Sequence, residues 1–451
     1  MTHLKKIENK NISVIGAGLS GLYVAALATQ KGAQVFLSEY RTKKFSKDEL
    51  NLLERYNIDY ETGGHTEQLE NADLYIISPG IPKETDIYQS IKKSGQPVIS
   101  EIEFASWFAD DTQIIAITGT NGKSTTVRLV DHLFKGTHYN AYLGGNIGIP
   151  FSKLILEMEN ITQNKVFILE ISSFQLEDII DFKPYISMIL NITADHLDRY
   201  QGDIDKYLEA KLQIAANQTK DDFYYYDSED SLLTKNIPDN TNSSAYDQNN
   251  RYKDIIELKE DGSIFLQNGS KLKIRGRHNY KNILAAVAVC QHFQISKDHI
   301  MEQLNTFSGL AHRLEFVKNI KGIEFYNDSK STNIDSVIQA LTSFKQPMYL
   351  IMGGRDKDLD FSELLPYLNS NIKEIILIGE AADKIQKQLQ TKRPIMKKKD
   401  LEQAVQHAYH KSSSGSVVLL SPGCASFDMY ENYKKRGQHF KALVNSLQEQ
   451  R

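Results

Sequence analysis

Short apolar runs alternate with helix-period stretches along most of this chain, and glycine turns join many of them. The first run, Asn11-Ile12-Ser13-Val14-Ile15, leads into Gly16-Ala17-Gly18-Leu19-Ser20-Gly21 and a predicted helix through Gln30. Further strands are predicted at 34–38 and 72–78. A second block begins with the apolar stretch 113–118 and continues with 165–169 and 185–190. A third, from about residue 310, offers strands at 322–326, 348–352, 374–378 and 416–420, with a helix over 401–410. Such βαβ alternation predicts parallel sheets covered by helices. Between 218 and 275 the pattern turns polar and Tyr-rich. There 263–267, Asn268-Gly269 and 270–274 read as a β-hairpin, because Asn-Gly suits a tight primed turn. This stretch is expected to be a small antiparallel subregion attached to the second block.

The expectation is an α/β chain in three domains. Residues 1–105 form a Rossmann-like domain, 106–309 a central P-loop ATPase-like domain with the antiparallel subregion, and 310–451 a second Rossmann-like domain. The length of 451 residues agrees with two to four domains. A formal net charge of −4 argues against coating nucleic acid. Two cysteines, Cys290 and Cys424, exclude a disulfide framework and point to a reducing cytoplasm. No apolar signal segment opens the chain, and no run approaches the roughly 20 apolar residues of a membrane span. A cytoplasmic protein without membrane insertion is expected. The run Lys397-Lys398-Lys399 reads as a solvated face.

The candidate chemistry centres on Gly119-Thr120-Asn121-Gly122-Lys123-Ser124-Thr125, set between an apolar strand and a helical stretch. Strand, glycine turn and helix N-terminus converge backbone N–H groups on an anion. In that geometry Lys123 reaches the outer phosphates of a nucleotide and Ser124 ligates magnesium. The full pattern would place its first glycine at 117, which is Ile. The run Gly16-x-Gly18-x-x-Gly21, with Glu39 at the end of the next strand, matches a dinucleotide fingerprint. The same loop suits the diphosphate of any nucleotide-linked substrate, or a tight turn alone. Glu170 ends an apolar strand, where a carboxylate can hold Mg²⁺ or simply cap a helix. Residues 191–200 (NITADHLDRY) gather metal-competent side chains after a buried strand. Lys211 reads by default as a solvated helical lysine, and Cys424 as a buried structural thiol. The loops 327–333 (NDSKSTN) and 421–428 (SPGCASFD) follow strands of the third block and suit a further ligand pocket.

Together these segments, with Ser78-Pro79-Gly80-Ile81, Gly144-Gly145-Asn146-Ile147-Gly148, 169–176 (LEISSFQL), His312-Arg313 and 421–436, resemble the Mur ligases across essentially the whole chain. Within them, the 327–333 and 421–428 loops resemble the branch that adds D-glutamate. The resemblance implies ATP-dependent joining of D-glutamate to UDP-N-acetylmuramoyl-L-alanine through an acyl phosphate. It implies a UDP-sugar, not NAD, at the first glycine loop, beside Leu19, Ser20, Glu39, Arg41, Gly80 and Asn146. It assigns ATP to Gly119, Thr120, Asn121, Gly122, Lys123, Ser124, Thr125, Asn279, Arg313 and Asp328. It assigns two Mg²⁺ ions to Ser124, Glu170, His196 and a carbamylated Lys211, and D-glutamate to Lys330, Thr332, Lys357, Ser426 and Tyr433. Lys123, Glu170, His196 and Lys211 are the catalytic set it implies, in a bacterial, monomeric enzyme of peptidoglycan precursor synthesis. Glu39 stands where the family commonly has Asp, and Tyr433 where Phe is usual. The alternatives are a sister ligase for another amino acid, or an NAD- or FAD-dependent oxidoreductase using the first glycine loop.

Overall fold

The computed structural model describes residues 3–158, 163–195, 199–248 and 253–447. Among them the strands form four sheets. The first comprises β1 (Asn11–Ile15), β2 (Gln34–Glu39), β3 (Asp59–Thr62), β4 (Leu74–Ile77) and β5 (Val98–Ser100), all parallel in the order β3-β2-β1-β4-β5. β4 is buried at every position and β1 at all but its first, as expected of parallel strands covered on both faces. Strand order reverses between β1 and β4, so a crevice opens beyond their carboxyl ends, where such sheets place ligands.

The second sheet comprises β6 (Gln113–Thr118), β7 (Asn140–Gly145), β8 (Lys165–Glu170), β9 (Ile186–Ile189), β10 (Phe223–Tyr226) and β11 (Asn242–Ala245). It is also all parallel, in the order β11-β10-β9-β6-β8-β7. β10 and β11 correct the expectation for 218–275: the first part of that stretch extends the P-loop sheet in parallel. The run Phe223-Tyr224-Tyr225-Tyr226 reads as polar by its hydroxyls, yet aromatic rings favour strands, and Tyr224 and Tyr225 are buried. The first two sheets share one apolar core. It runs from Ile12, Val14 and Leu22 through Ile102 and Phe104 of the helix Glu101–Ser106 to Phe151, Phe167 and Tyr207. Glu103 anchors this junction from a fully buried position. It accepts from the N–H groups of Ile180 (3.0 Å), Asp181 (2.9 Å) and Phe182 (2.7 Å), and from Trp107 Nε1 (2.6 Å).

The third sheet is the expected hairpin with one more strand: β12 (Ile256–Leu258), β13 (Ser263–Leu266) and β14 (Lys271–Arg275), antiparallel. The fourth comprises β15 (Glu315–Ile320), β16 (Ile323–Asn327), β17 (Met348–Gly353), β18 (Ile372–Ile378), β19 (Ile395–Lys397) and β20 (Val417–Leu420). Its order is β15-β16-β20-β17-β18-β19, parallel except for the antiparallel edge strand β15. The chain divides into two compact units, 1–250 with 285–295, and 251–284 with 296–451. The small sheet therefore belongs with the C-terminal segment, where Arg275 donates to the Ser343 carbonyl (3.0 Å) and lies over the Phe344 ring. No helix among the described residues is long and apolar enough to cross a membrane.

Candidate active site

The P-loop takes the form expected of it. β6 ends at Thr118, Gly119 turns with φ 146°, and Gly122 caps the helix Lys123–Phe134 at φ 86°. A Cβ on Gly119 would stand 3.0 Å from Leu190 Cβ, so packing favours glycine where the positive φ already calls for it. The loop after β9 braces it from the side. Asn191 Oδ1 accepts from Asn121 N (2.8 Å), Asn191 Nδ2 donates to Asn121 O (3.1 Å), and Thr120 Oγ1 donates to Thr193 O (3.1 Å). Lys123 folds back over the turn, its Nζ donating to Gly119 O (2.6 Å) and Thr120 O (2.8 Å). Ser124 and Thr125 are buried at the helix start.

Beneath this loop lies Lys211, on the helix Ile204–Leu212. The residue expected to be solvated is 1% exposed. Its Nζ reaches Thr118 Oγ1 and Gly119 O, each at 3.2 Å, and stands 4.6 Å from the Tyr207 ring centroid. Burial pulls its pKa far down and the Lys123 charge adds to this, while Asp195 and Glu170 oppose. Glu170 closes the cluster from the end of β8. Its Oε1 accepts from Asn146 Nδ2 (3.0 Å), whereas Oε2 is buried and meets no donor. A buried carboxylate oxygen without a partner is costly, and a cation would satisfy it. Asn146 thus sits on Glu170 and does not line the first glycine-loop cavity. His196 lies outside the described residues, and no cluster of three metal-competent His, Cys, Asp or Glu side chains forms among those described.

The first glycine loop opens onto a cavity of about 1420 Å³ lined by Leu19, Ser20, Glu39, Arg41, Gly80 and His65 among others. Gly21 is fixed by packing, since a Cβ there would fall 1.9 Å from Gly16 O. Gly18 is different: its Cβ would meet nothing within 4 Å, leaving the backbone open to an approaching ligand. Glu39 Oε2 accepts from Ala17 N (2.9 Å), tying the loop to the end of β2. Arg199 links this crevice to the P-loop side. It donates to Pro79 O (3.2 Å) and Ile81 O (3.4 Å), and pairs with Glu177 (2.8 Å).

In the second unit, Asp328 is buried at the end of β16. It accepts from Leu314 N (3.0 Å) and from the Ser331 and Ser421 hydroxyls. Burial raises its carboxyl to about 6 against those donors and the nearby Arg313. Its oxygens hold loops together, a job the sequence did not announce. Arg313 stands between two left-handed residues, His312 (φ 67°) and Leu314 (φ 41°), and its buried Nε has no partner. Asn279 is buried and donates to Arg275 O (2.9 Å). Lys330 Nζ lies 6.0 Å from the Tyr433 ring centroid, Thr332 is half-buried, Ser426 is buried and Lys357 exposed. Cys424 is buried and unbridged, its thiol pushed up to about 12 by burial. Two residues of this architecture were not singled out by sequence: Asn191, read only as part of the metal-competent 191–200 segment and here the brace of the P-loop, and Arg436, buried on the helix Tyr433–Ser446.

Residues 11–87 match the MurD N-terminal domain family model, 117–290 the Mur ligase middle domain, and 312–424 the Mur ligase, glutamate ligase domain. The UDP-N-acetylmuramoylalanine–D-glutamate ligase of Christiangramia forsetii is 39% identical, covering 97% of this chain and 100% of its own. Those of Salinibacter ruber and Clostridioides difficile are each 37% identical, covering 98% of this chain and 99% of their own. This chain belongs to the Mur ligase family. The fold agrees with other Mur ligases of known structure. MurF ligase from Thermotoga maritima, solved with ADP, superposes with a TM-score of 0.61 at 16% identity, over 99% of this chain and all of that one. UDP-N-acetylmuramate-alanine ligase MurC from Thermotoga maritima gives 0.58 at 17% identity, over 98% of this chain and all of that one. The two glycine loops of this chain each front their own parallel sheet.

Proposed function

We propose that this Mur ligase joins D-glutamate to the alanine carboxylate of UDP-N-acetylmuramoyl-L-alanine, driven by ATP, in the synthesis of peptidoglycan precursors. What carries the reading is the burial of both Lys211 and Glu170 beneath the P-loop, in a chain similar over its full length to relatives bearing that activity in their names. The three-domain division at 1–105, 106–309 and 310–451 accompanies it, supported by family matches that each fall within one span, while the compact units place 251–284, with the small sheet, beside the C-terminal segment instead of in the central span. A monomeric, cytoplasmic enzyme is part of the same proposal.

A carboxylate and an amine do not condense in water, because the carboxylate is a poor electrophile. Phosphorylation of the alanine carboxylate supplies the leaving group. The amine of D-glutamate then attacks the acyl carbon, and phosphate departs from the tetrahedral intermediate. Backbone N–H groups at the start of the helix Leu19–Gln30 take the substrate diphosphate, with Gly18 allowing close approach. Lys123 and the N-terminus of the helix Lys123–Phe134 neutralise charge on the transferring phosphoryl group. Asn279, Arg313 and Asp328 are assigned to the nucleotide by family resemblance; the unpartnered Arg313 Nε supports that role. Lys330, Thr332, Lys357, Ser426 and Tyr433 receive D-glutamate.

The buried Glu170 Oε2, which has no donor, fits a divalent cation. Ser124, Glu170, His196 and a carbamylated Lys211 would hold two Mg²⁺ ions, which when bound supply positive charge to the phosphate oxygens. Burial favours the neutral Lys211 amine, the form that adds carbon dioxide and turns a cationic side chain into an oxygen ligand. The deciding assay is phosphate release from ATP with UDP-N-acetylmuramoyl-L-alanine and D-glutamate, L-glutamate or no amino acid. Release with D-glutamate alone, together with the amide product, is expected. Equal release with another amino acid, or none under any condition, would overturn the assignment.

A further inference from the structure

Among the described residues, Arg436 is the largest side chain buried essentially completely, and it lies in the second unit on the helix Tyr433–Ser446. Buried cations are ordinarily matched by a carboxylate. Here none pairs with the guanidinium among the described residues, and Asp428 acts on it only through space. Its donors go to oxygens on three separate loops. Nε donates to Ser329 Oγ (3.0 Å), and Nη2 to Ser329 O (2.9 Å) and Cys424 O (3.0 Å). Nη1 reaches Ala425 O (3.3 Å) and Gly353 O (3.5 Å). Ser329 Oγ in turn donates to Tyr433 O (2.8 Å), returning to the first turn of the same helix. The fit is close. A Cβ on Gly354 would lie 3.0 Å from Arg436 Nη1 and 2.2 Å from Ala425 O.

These loops follow β16, β17 and β20, the three adjacent strands at the centre of the sheet. The first carries Lys330 and Thr332, the second Lys357 and the third Ser426, while Tyr433 opens the helix bearing Arg436. Every residue assigned to D-glutamate is therefore within four positions of an atom that Arg436 or its Ser329 partner holds. The planar fork can address carbonyls on several loops at once, which the point-like ammonium of lysine cannot.

We propose that Arg436 is the positioning residue of the amino-acid pocket: its guanidinium locks three strand-end loops into the arrangement that receives D-glutamate without touching the substrate. The substrate half of this inference rests on the proposed function; the clamp itself does not. The test combines two readouts on Arg436→Lys and Ser329→Ala. Hydrogen exchange should rise together in 329–332, 353–357 and 424–427 of Arg436→Lys, with the P-loop unchanged. A rise confined to the helix 433–446 would overturn the clamp. In kinetics, KM for D-glutamate should rise at least about tenfold, as loss of charge-assisted hydrogen bonds implies. KM for ATP and for UDP-N-acetylmuramoyl-L-alanine should stay within about twofold, because only amino-acid binding is disturbed. A merely structural residue would shift all three constants or lower active protein without a split. Ser329→Ala retains the cation and guards against misfolding of the first variant. It should show the same split in weaker form, and an unchanged KM for D-glutamate there would overturn the proposal. Wild-type enzyme indifferent to D-glutamate would refute the reaction instead, leaving hydrogen exchange to decide the clamp.

Discussion

Two glycine turns in the first unit share a plan, strand to glycine loop to helix N-terminus, yet their surroundings differ. The 16–21 loop faces a wide cavity, and Leu19 at its tip is 51% exposed. Its nearest acid, Glu39, is satisfied by backbone N–H groups of Ala17 and Arg41. The 119–125 loop is walled by Leu190 and Asn191 and sits over two buried side chains, Lys211, whose amine burial drives toward neutrality, and Glu170, whose Oε2 meets no donor. An open, internally satisfied loop can hold a ligand without altering it. A loop that already holds an unpartnered carboxylate oxygen and a cationic Lys123 offers preorganised electrostatics that a reacting phosphoryl group can use. On the proposed function, the same backbone motif would serve retention in one place and reaction in the other.

The strongest way to break this comparison is to remove the lysines on and beneath the second loop. Lys123→Ala should lower kcat by about 100- to 1,000-fold or more, the range for deleting one preorganised electrostatic group. KM for the UDP substrate should barely change. Lys211→Ala should be comparably impaired but partly rescued by added short carboxylates, which can replace a carbamate oxygen. Steady-state phosphate release with and without acetate checks this; rescue absent in a folded variant would count against the carbamate.

Glycine substitutions in the first loop separate packing from binding. Gly21→Ala forces a Cβ against Gly16 O and should cost about 1–3 kcal/mol or more of stability, read by thermal or denaturant unfolding. Gly18→Ala meets open space and should leave the unfolding midpoint near wild type while raising KM for the UDP substrate. If both variants lost stability equally and bound normally, the cavity would not be the substrate cradle. Glu39→Gln should act more mildly, since its amide still offers one acceptor to Ala17 N. A rise in KM of a few-fold, with kcat unchanged, is expected from exchanging a charge-assisted hydrogen bond for a neutral one, a difference of about 1 kcal/mol.

Much of this was legible in the sequence wherever burial is continuous. Apolar runs marked β1, β4, β6, β8, β9, β17 and β20 because parallel strands covered on both faces leave no room for polar alternation. β10 and β11 were not legible: Tyr225 buries its ring while its hydroxyl meets Gln291 and His292, and Asn242-Ser243-Ser244-Ala245 is short and polar, so both strands look polar letter by letter. The P-loop was readable as a local motif. Lys211 was not, since nothing in the helix Ile204–Leu212 says which face lies under a loop more than eighty residues earlier. Arg436 shows the same limit: its partners at 329, 353, 424 and 425 become neighbours only once the sheet is formed. Local chemistry is written in sequence, whereas unmatched buried charge is a property of the assembled sheet.

The smallest expected effect concerns His65, a half-buried titratable group lining the open cavity. Its Nδ1 lies 2.7 Å from Ser38 Oγ, which also donates to Glu61. Burial lowers its pKa below the ordinary imidazole value, with Glu61 and Glu39 opposing the shift. A lowered folded pKa means that the unfolded chain binds the proton more readily. The contribution of His65 to stability is therefore full above about pH 6.5 and declines as pH falls from there through the folded pKa. His65→Gln should remove that component, so the variant and wild type should converge toward acid and differ by a constant amount at neutral pH. Unfolding midpoints measured across this interval provide the check. An unchanged acid slope would mean that the Glu61 and Glu39 carboxylates keep the imidazole charged after folding. The open loop would then carry a latent charge of its own, and the contrast with the P-loop would narrow to burial alone.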